Sequence, residues 1–263
     1  MFTVRQATLG VALFGVIAGC GAPDLVAPLA PVAEPDVGAS PEAPLPPSPA
    51  TPTLAAVPFG GPDEAGCLAE GSRFGDWTLR YTGYGCVALE PMGPGTALFM
   101  APTEALAADD THAPLAVGPL HADRVTMRTR VETVRQVRVG GDANPWEVAW
   151  VVWQYQDDDH FYYFIPKPNG WELGKRDPAY PGGQRFLATG EDQRFPVGQV
   201  YDVLIEQVGP ALTVSVDGRV LVRFTDTERP YLQGRFALYA EDAAIRVHGV
   251  EAQSVTARVL AQR

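Results

Sequence analysis

The sequence predicts an all-β protein, a two-sheet antiparallel jelly-roll sandwich, and three observations carry that prediction. From Asp76 onward, apolar and polar residues alternate with period two, as in strands with one buried face. Asp217-Gly218 and Pro168-Asn169-Gly170 lie between β-branched or aromatic runs, which marks tight hairpin turns. No long segment repeats its apolar residues every 3.6 positions, so no amphipathic helix is expected. Many short strands at close spacing imply a sandwich or jelly roll.

The elements follow in order. Asp76 to Tyr81 is the first strand, DWTLRY. Arg124 to Val139 alternates over its length, with Val125, Met127, Thr129, Val131 and Thr133 on one face and Arg124, Thr126, Arg128, Arg130 and Glu132 on the other. Val200 to Gln207 and Leu212 to Val216 come next, and the latter runs through Asp217-Gly218 into Val220 to Phe224. Gly234 to Tyr239 and Ala244 to Val250 close the domain.

The richest stretch is Trp146 to Lys175. It holds four of the chain's five tryptophans, three of its nine tyrosines and both of its lysines. It reads as two apolar strands joined by an acidic tip, then a Pro-Asn-Gly turn into a third strand. With Asp157-Asp158-Asp159 as the tip, Gln156 pairs with His160. Val151, Trp153 and Tyr155 then share a core face with Phe161, Tyr163 and Ile165. Trp150, Val152 and Gln154 share the opposite face with Tyr162 and Phe164. A change of one residue in loop length alters these partners. The second face mixes rings, an amide and a phenol, which suits sugars: their C–H faces stack on rings while their hydroxyls need donors and acceptors. Trp150, Gln154 and Tyr162 are its candidate ligand contacts. The alternative is that both faces are packed because the strands are central. In the third strand Trp171, Leu173 and Lys175 face one way, Glu172 and Arg176 the other. The loop beyond is rich in turn formers, and Lys175, Asp177, Tyr180 and Arg185 are candidate polar contacts there. The alternative is a solvated hairpin with local ion pairs.

The N-terminus points to an envelope. Arg5 is the only charge before a short apolar run, Leu9 to Ala18, which has the size of a signal-peptide core and is too short to span a bilayer. It ends in Ile17-Ala18-Gly19-Cys20, which resembles the lipobox of bacterial lipoproteins. The resemblance implies removal of residues 1–19, acylation of Cys20, and an anchor in the lipid bilayer rather than a span. Gly21, in place of Asp, implies the outer membrane in a cell with two membranes. Residues 20–62 form a Pro/Ala-rich linker whose composition cannot offset chain entropy by burial. At ~3 Å per residue it would hold a domain up to ~100 Å from the lipid. Residues 63–255 are the size of one domain with a single core, and 256–263 are a tail.

The chain carries a formal charge of −11, or −12 once Arg5 leaves with the leader, which makes nucleic acid a poor partner. With Cys20 committed to lipid, Cys67 and Cys86 remain, an even pair outside the cytoplasm and so an expected disulfide. Two Cys without a nearby His make a poor metal site.

The order of an early Gly-Asp-Trp strand, VVWQYQDDDHFYYFI, YDVLIEQVGPALTVSVDGRVL and GRFALYAEDAAIRVHGVEAQ resembles the concanavalin A-like lectin/glucanase superfamily. Within it the laminin-G-like and glycoside-hydrolase-16-like, 3-keto-disaccharide hydrolase domains are the most similar branches. The resemblance covers Phe74 to Gln253 and rests on fold marks, not chemistry. It implies a jelly roll with a concave, glycan-binding face; fold by itself does not establish function.

The motifs of catalysis are missing. Superfamily glucanases carry Glu-x-Asp-x-(x)-Glu on one strand, whose alternation puts the carboxylates together, and this chain has no such run. Arg130-Val131-Glu132-Thr133-Val134-Arg135 has the wrong spacing for the jelly-roll alginate lyases. None of the four His lies near a Ser or Cys motif. Phosphate-binding loops, zinc spacings and dinucleotide fingerprints are also absent. Calcium needs six to eight oxygens, more than three adjacent Asp offer, so no cofactor is expected; calcium at the Asp157-Asp158-Asp159 tip or at a second acidic tip, Glu241-Asp242, is the alternative. The expected function is glycan binding without catalysis. A hydrolase or lyase of the keto-sugar type, and a structural or protein-interaction domain of the envelope, are the alternatives.

Overall fold

The computed structural model describes residues 54–59, 66–93, 95–107, 109–121 and 124–254. All belong to the unit Pro52–Arg263. The leader, Cys20, most of the linker and the tail lie outside the described residues.

Among the described residues there are sixteen strands. They are β1 (Ala55–Ala56), β2 (Arg73–Phe74), β3 (Trp77–Thr82), β4 (Cys86–Met92), β5 (Gly95–Ala101), β6 (Pro114–His121), β7 (Arg124–Gln136) and β8 (Ala149–Asp157). There follow β9 (His160–Lys167), β10 (Gly170–Arg176), β11 (Gln184–Gly190), β12 (Val200–Val208), β13 (Ala211–Val216), β14 (Arg219–Thr225), β15 (Gly234–Ala240) and β16 (Ala243–Ser254). Two antiparallel eight-stranded sheets result. Sheet I runs β14-β13-β12-β7-β16-β5-β4, with β1 added beside β16. Sheet II runs β11-β10-β9-β8-β15-β6-β3-β2. The fold class is therefore the all-β, two-sheet jelly-roll sandwich that the alternation predicts.

The core lies between the sheets. Val125, Met127, Val131, Val203, Ile205 and Val247 of sheet I meet Trp77, Leu79, Val151, Trp153, Tyr162, Phe164 and Leu238 of sheet II in one buried cluster. Strand β7 buries the residues its alternation selects, Val125 to Thr133. The Asp217-Gly218 turn joins β13 to β14 with positive φ at both residues (50° and 79°), as a two-residue hairpin turn of this hand requires. Cys67 and Cys86 form the expected disulfide, Cα atoms 5.1 Å apart.

Two expectations need correction. The linker does not extend to residue 62, because Ala55 and Ala56 pair with Ala252 and Glu251 of β16. Phe59, the one aromatic residue there, is buried with its ring 5.3 Å from Trp77 and 6.3 Å from Phe74. A single large ring offers enough apolar area to dock a short segment.

The second correction concerns the β8–β9 hairpin. Asp157, not Gln156, pairs with His160. Three residues, Gln154, Tyr155 and Gln156, then stand opposite one, Phe161, between Trp153↔Tyr162 and Asp157↔His160. The bulge centres on Gln154, whose φ is +52°. Gly234 makes room for it, since a Cβ there would collide with the Gln154 backbone. The bulge reverses the faces of β9 relative to expectation. Tyr162 and Phe164 point into the core beside Trp153, whereas Tyr163 and Ile165 join Trp150 and Val152 on the outer face of sheet II, as does Tyr155 beyond the bulge.

Candidate functional site

The bulge disperses the first group of candidate ligand contacts. Tyr162 is fully buried in the core, its ring stacked 5.5 Å from Trp153. Gln154 is fully buried as well; its Nε2 donates to Gln207 Oε1 at 3.3 Å, beside the Trp153 indole N–H at 2.8 Å. Only Trp150 stands on the outer face, and it is 5% exposed. These three side chains share no surface.

The second group, Lys175, Asp177, Tyr180 and Arg185, does come together, with four partners that no motif announced: Asp226, Glu228, Arg229 and Tyr231. Lys175 is fully buried on the inner face of β10, opposite Tyr162. Its ammonium donates to Asp226 Oδ2 at 2.8 Å, to the Glu228 carbonyl at 2.6 Å and to the Arg229 carbonyl at 3.2 Å. That uses all three of its protons. The rings of Tyr231, Tyr180 and Tyr162 lie 5.2, 5.6 and 6.0 Å from the same nitrogen. Tyr162 also donates to Asp226 at 2.6 Å. Burial alone would raise the Asp226 carboxyl, but the bonds from Lys175 and Tyr162 prevail and hold it below its ordinary value. At the rim, Arg185 meets Glu228 at 2.9 Å and the Tyr180 hydroxyl at 3.1 Å, and Arg229 meets Asp177 at 3.1 Å. Three cations face three carboxylates. The cluster fastens the segment after β14 to β10 and β11, and its hydrogen-bonding capacity is spent on that internal seam.

The outer face of sheet II is different. Trp150, Tyr155 and Tyr163 form an inner layer with Val117, Val148, Val152, Ile165 and Ala237, and the half-buried rings of Trp146, Phe161 and Tyr239 pack against it. The Trp150 ring lies 4.8 Å from Tyr163 and 5.1 Å from Tyr239. Gly174 lets Tyr163 lie flat across β10, for a Cβ there would strike the phenol oxygen. Polar groups terminate the ring strip at both ends. On one side Tyr163 donates to Glu172 at 2.9 Å, Glu172 pairs with Lys167 at 2.9 Å, and Gln184 reaches the Tyr163 hydroxyl. On the other, Tyr239 donates to Glu241 at 3.0 Å, and the Trp146 side chain lies close enough to the same carboxyl to favour its charged form. Burial, then the Glu241 charge, pushes the Tyr239 phenol well above its ordinary value, so it remains a donor.

Glu241 and Asp242 carry the chain from β15 in sheet II to β16 in sheet I, Asp242 at φ +41°. Beneath them Arg138 pairs with Glu147 at 2.6 Å and with Asp242 at 2.8 Å. Burial lifts the Glu241 carboxyl to about 7; the Tyr239 hydrogen bond opposes the rise, and the Asp242 and Glu147 charges add to it.

Each Asp of the β8–β9 tip already has a partner. Asp157 bonds His160, Asp158 accepts from Tyr81 and Tyr155, and Asp159 meets Arg176. Among the described residues no group of three or more His, Cys, Asp or Glu is placed to hold a metal ion.

Fold and site together define an all-β jelly-roll sandwich with one sheet face paved by aromatic rings. No protein-family model and no curated protein matches the chain. Solved structures resemble it in outline. The carbohydrate-binding module CBM66 from Bacillus subtilis is 14% identical, with 68% of this chain and 96% of that one covered at a TM-score of 0.49. A Bacteroides ovatus mixed-linkage glucan GH16 in complex with its G4G4G3G product is 8% identical, covering 71% and 97% at 0.48. The Ca2+-bound exoplasmic/lumenal domain of VIP36 is 11% identical, covering 79% and 92% at 0.47. Each likeness is one of fold outline, and no residue role is carried across.

Proposed function

We propose that this is a glycan-binding protein of the bacterial envelope, with the outer face of sheet II as its binding surface and Cys20 as its lipid anchor. The observation that carries the binding reading is the two-layered aromatic strip. Buried Trp150 and Tyr163 support half-buried Trp146, Phe161 and Tyr239, and hydrogen-bonding carboxyls and phenols stand at each end. Ring faces take the C–H side of a sugar, and the polar ends take its hydroxyls. The Ile17-Ala18-Gly19-Cys20 run supports the anchor, with the outer membrane as the destination that Gly21 suggests.

The placement of carboxylates favours binding over hydrolysis. Glu172, Ile165, Trp150 and Tyr239 form one row across β10, β9, β8 and β15. Three strand spacings of ~4.8 Å put Glu172 roughly 14 Å from that end of the strip, and Glu241 lies two residues beyond Tyr239. Glycosidase pairs work at about 5 Å or 6.5–9.5 Å. Glu147 and Asp242 are nearer to Glu241, but their side chains are sealed from solvent and clamped by Arg138.

The test is retention of the whole chain on glycan arrays and insoluble polysaccharides. Tyr239→Ala and Phe161→Ala should each weaken binding about tenfold while circular dichroism stays unchanged. No retention on any glycan, or variants that alter only the melting temperature, would remove the reading. Cys20→Ala should move the protein from the membrane fraction to the soluble one, and continued membrane association would count against the anchor.

A further inference from the structure

The Glu241 end of the aromatic face carries more negative charge than its surroundings neutralise. Glu147, Glu241 and Asp242 are all buried there. Arg138 is paired with Glu147 and Asp242. Glu241 has no ion pair among the described residues; the Tyr239 hydroxyl donates to it and the Trp146 side chain lies beside it. From the loop before β6, His112 gives its backbone N–H to Asp242 at 2.8 Å. Arg176 of β10 acts on the far side of Tyr239 and is itself bonded to Gly182 and Asp159. One oxygen in this group has no donor at all: Glu147 Oε2, on a fully buried side chain, is unpartnered among the described residues.

The second half of the observation is aromatic. Tyr239, Trp146 and Trp150 stand together at the Glu241 carboxyl, with Trp150 and Tyr239 edge-on at 5.1 Å and the Trp150 indole N–H held by the Trp146 carbonyl at 2.9 Å. Ring faces and an uncompensated carboxylate in one place are the two components of an ammonium site. A neutral hydroxyl or an acetamide would leave the charge excess where it is. A uronate would add to it.

We propose that this end of the face receives the ammonium group of an amino sugar, a glucosamine unit whose nitrogen carries no acetyl group. The proposal rests on the glycan reading of the same face and names the sugar chemistry at its acidic end. The nitrogen lies against the Tyr239 and Trp146 rings with Glu241 as its counter-ion, and the rest of the chain continues over the strip toward Glu172. An arriving ammonium favours the ionised form of Glu241, which burial and its two acidic neighbours otherwise disfavour.

The test is calorimetric titration of the whole chain with a β-1,4-glucosamine tetramer, its fully N-acetylated counterpart and a neutral β-1,4-glucose tetramer, at pH 4.5, 6.5 and 8.5. At pH 6.5 the glucosamine tetramer should bind about tenfold tighter than the acetylated one. The preference should shrink at pH 4.5, where Glu241 takes up a proton, and at pH 8.5, where the weakly basic sugar amine loses its own. Glu241→Gln should abolish the preference at every pH. Asp202→Asn, which removes a carboxylate from the other sheet, should leave it intact and so separates the site from the chain's general negative charge. Equal affinity of the glucosamine and acetylated tetramers at pH 6.5 overturns the proposal, as does a preference indifferent to pH or to Glu241→Gln. Should Glu241→Gln fail to fold, the pH dependence of the unaltered chain decides. Binding of the glucose tetramer without any gain from the amine sinks this inference alone. Binding of none of the three sinks the glycan reading and this inference with it.

Discussion

The seam around Lys175 and the acidic corner around Glu241 both bury charge, at two different places in the molecule, and they treat it in opposite ways. In the seam every proton of Lys175 has an acceptor, and cations equal carboxylates in number. In the acidic corner, among the described residues, three carboxylates share one guanidinium, and one buried oxygen has no donor. Taking an ion out of water costs several kcal/mol unless partners replace the solvent. A saturated network therefore reads as architecture. An unsaturated one holds interaction potential that a ligand can use. The comparison explains why the polar candidates named from the sequence converge and yet form a lock, while the acid that no motif flagged, Glu241, sits on the face proposed for recognition.

The largest expected effect breaks the seam. Lys175→Ala strands Asp226 and should cost about 3–5 kcal/mol in urea denaturation. Lys175→Met keeps the stem but also removes the ammonium, so it should cost nearly as much as Ala. A much smaller loss for Met would mean that the stem's packing, not the ion pair, carries the effect. Next comes pH. The Glu241 carboxyl is raised above its unfolded value of 4.5 to about 7, so its contribution is fully present below pH 4.5 and is lost as pH rises through 7. Stability should fall by about 3 kcal/mol over that window from this group alone, and Glu241→Gln should flatten the curve. Asp226 runs the other way. Its carboxyl is held below 3.8, so its contribution is present above that pH and is lost as pH falls through its folded value. A melting-temperature series from pH 2 to 9 would show both limbs, and a flat alkaline limb would contradict the charge excess around Glu241.

A smaller loss is expected from Tyr162→Phe, which removes the donor to Asp226 and the acceptor of the Tyr231 N–H at 3.1 Å. Leaving buried groups unpaired should cost about 1–3 kcal/mol, measured by the same unfolding curves. The smallest belongs to the rim. Glu228, with its side chain 57% exposed, should lose less than about 1 kcal/mol on change to Gln, and a loss as large as that of Lys175→Ala would erase the distinction between buried lock and solvated edge.

Particular residues show how far the sequence could be read. Val125 to Thr133 alternate so regularly that their faces follow from period alone. Asp217-Gly218 names its own turn. Strands β4, β5 and β6 carry no clean alternation, because Gly or Pro interrupts each run. Gln154 was legible as an amide on a strand but not as a bulge, since nothing in WVVWQYQ marks a positive φ; the space for it comes from Gly234, eighty residues on. Asp226 and Glu228 are ordinary polar residues in a turn until folding brings them beneath Lys175. Glu241 and Asp242 are simply adjacent acids in the chain, and what sets Glu241 beside Tyr239 is the crossing from one sheet to the other.

The sequence by itself determined the fold class, the principal hairpins and the pairing of Cys67 with Cys86, and it supplied the signals from which an envelope address is proposed. These follow from local periodicity, turn chemistry and counting, which need no knowledge of distant partners. Only the tertiary structure decided which aromatic residues line the core and which pave the outer face, and which carboxylates keep a counter-ion. A single bulge reverses the faces of a whole strand, and a buried charge is neutralised by residues fifty or a hundred positions away. Both are long-range facts, fixed by the meeting of strands rather than by any strand alone.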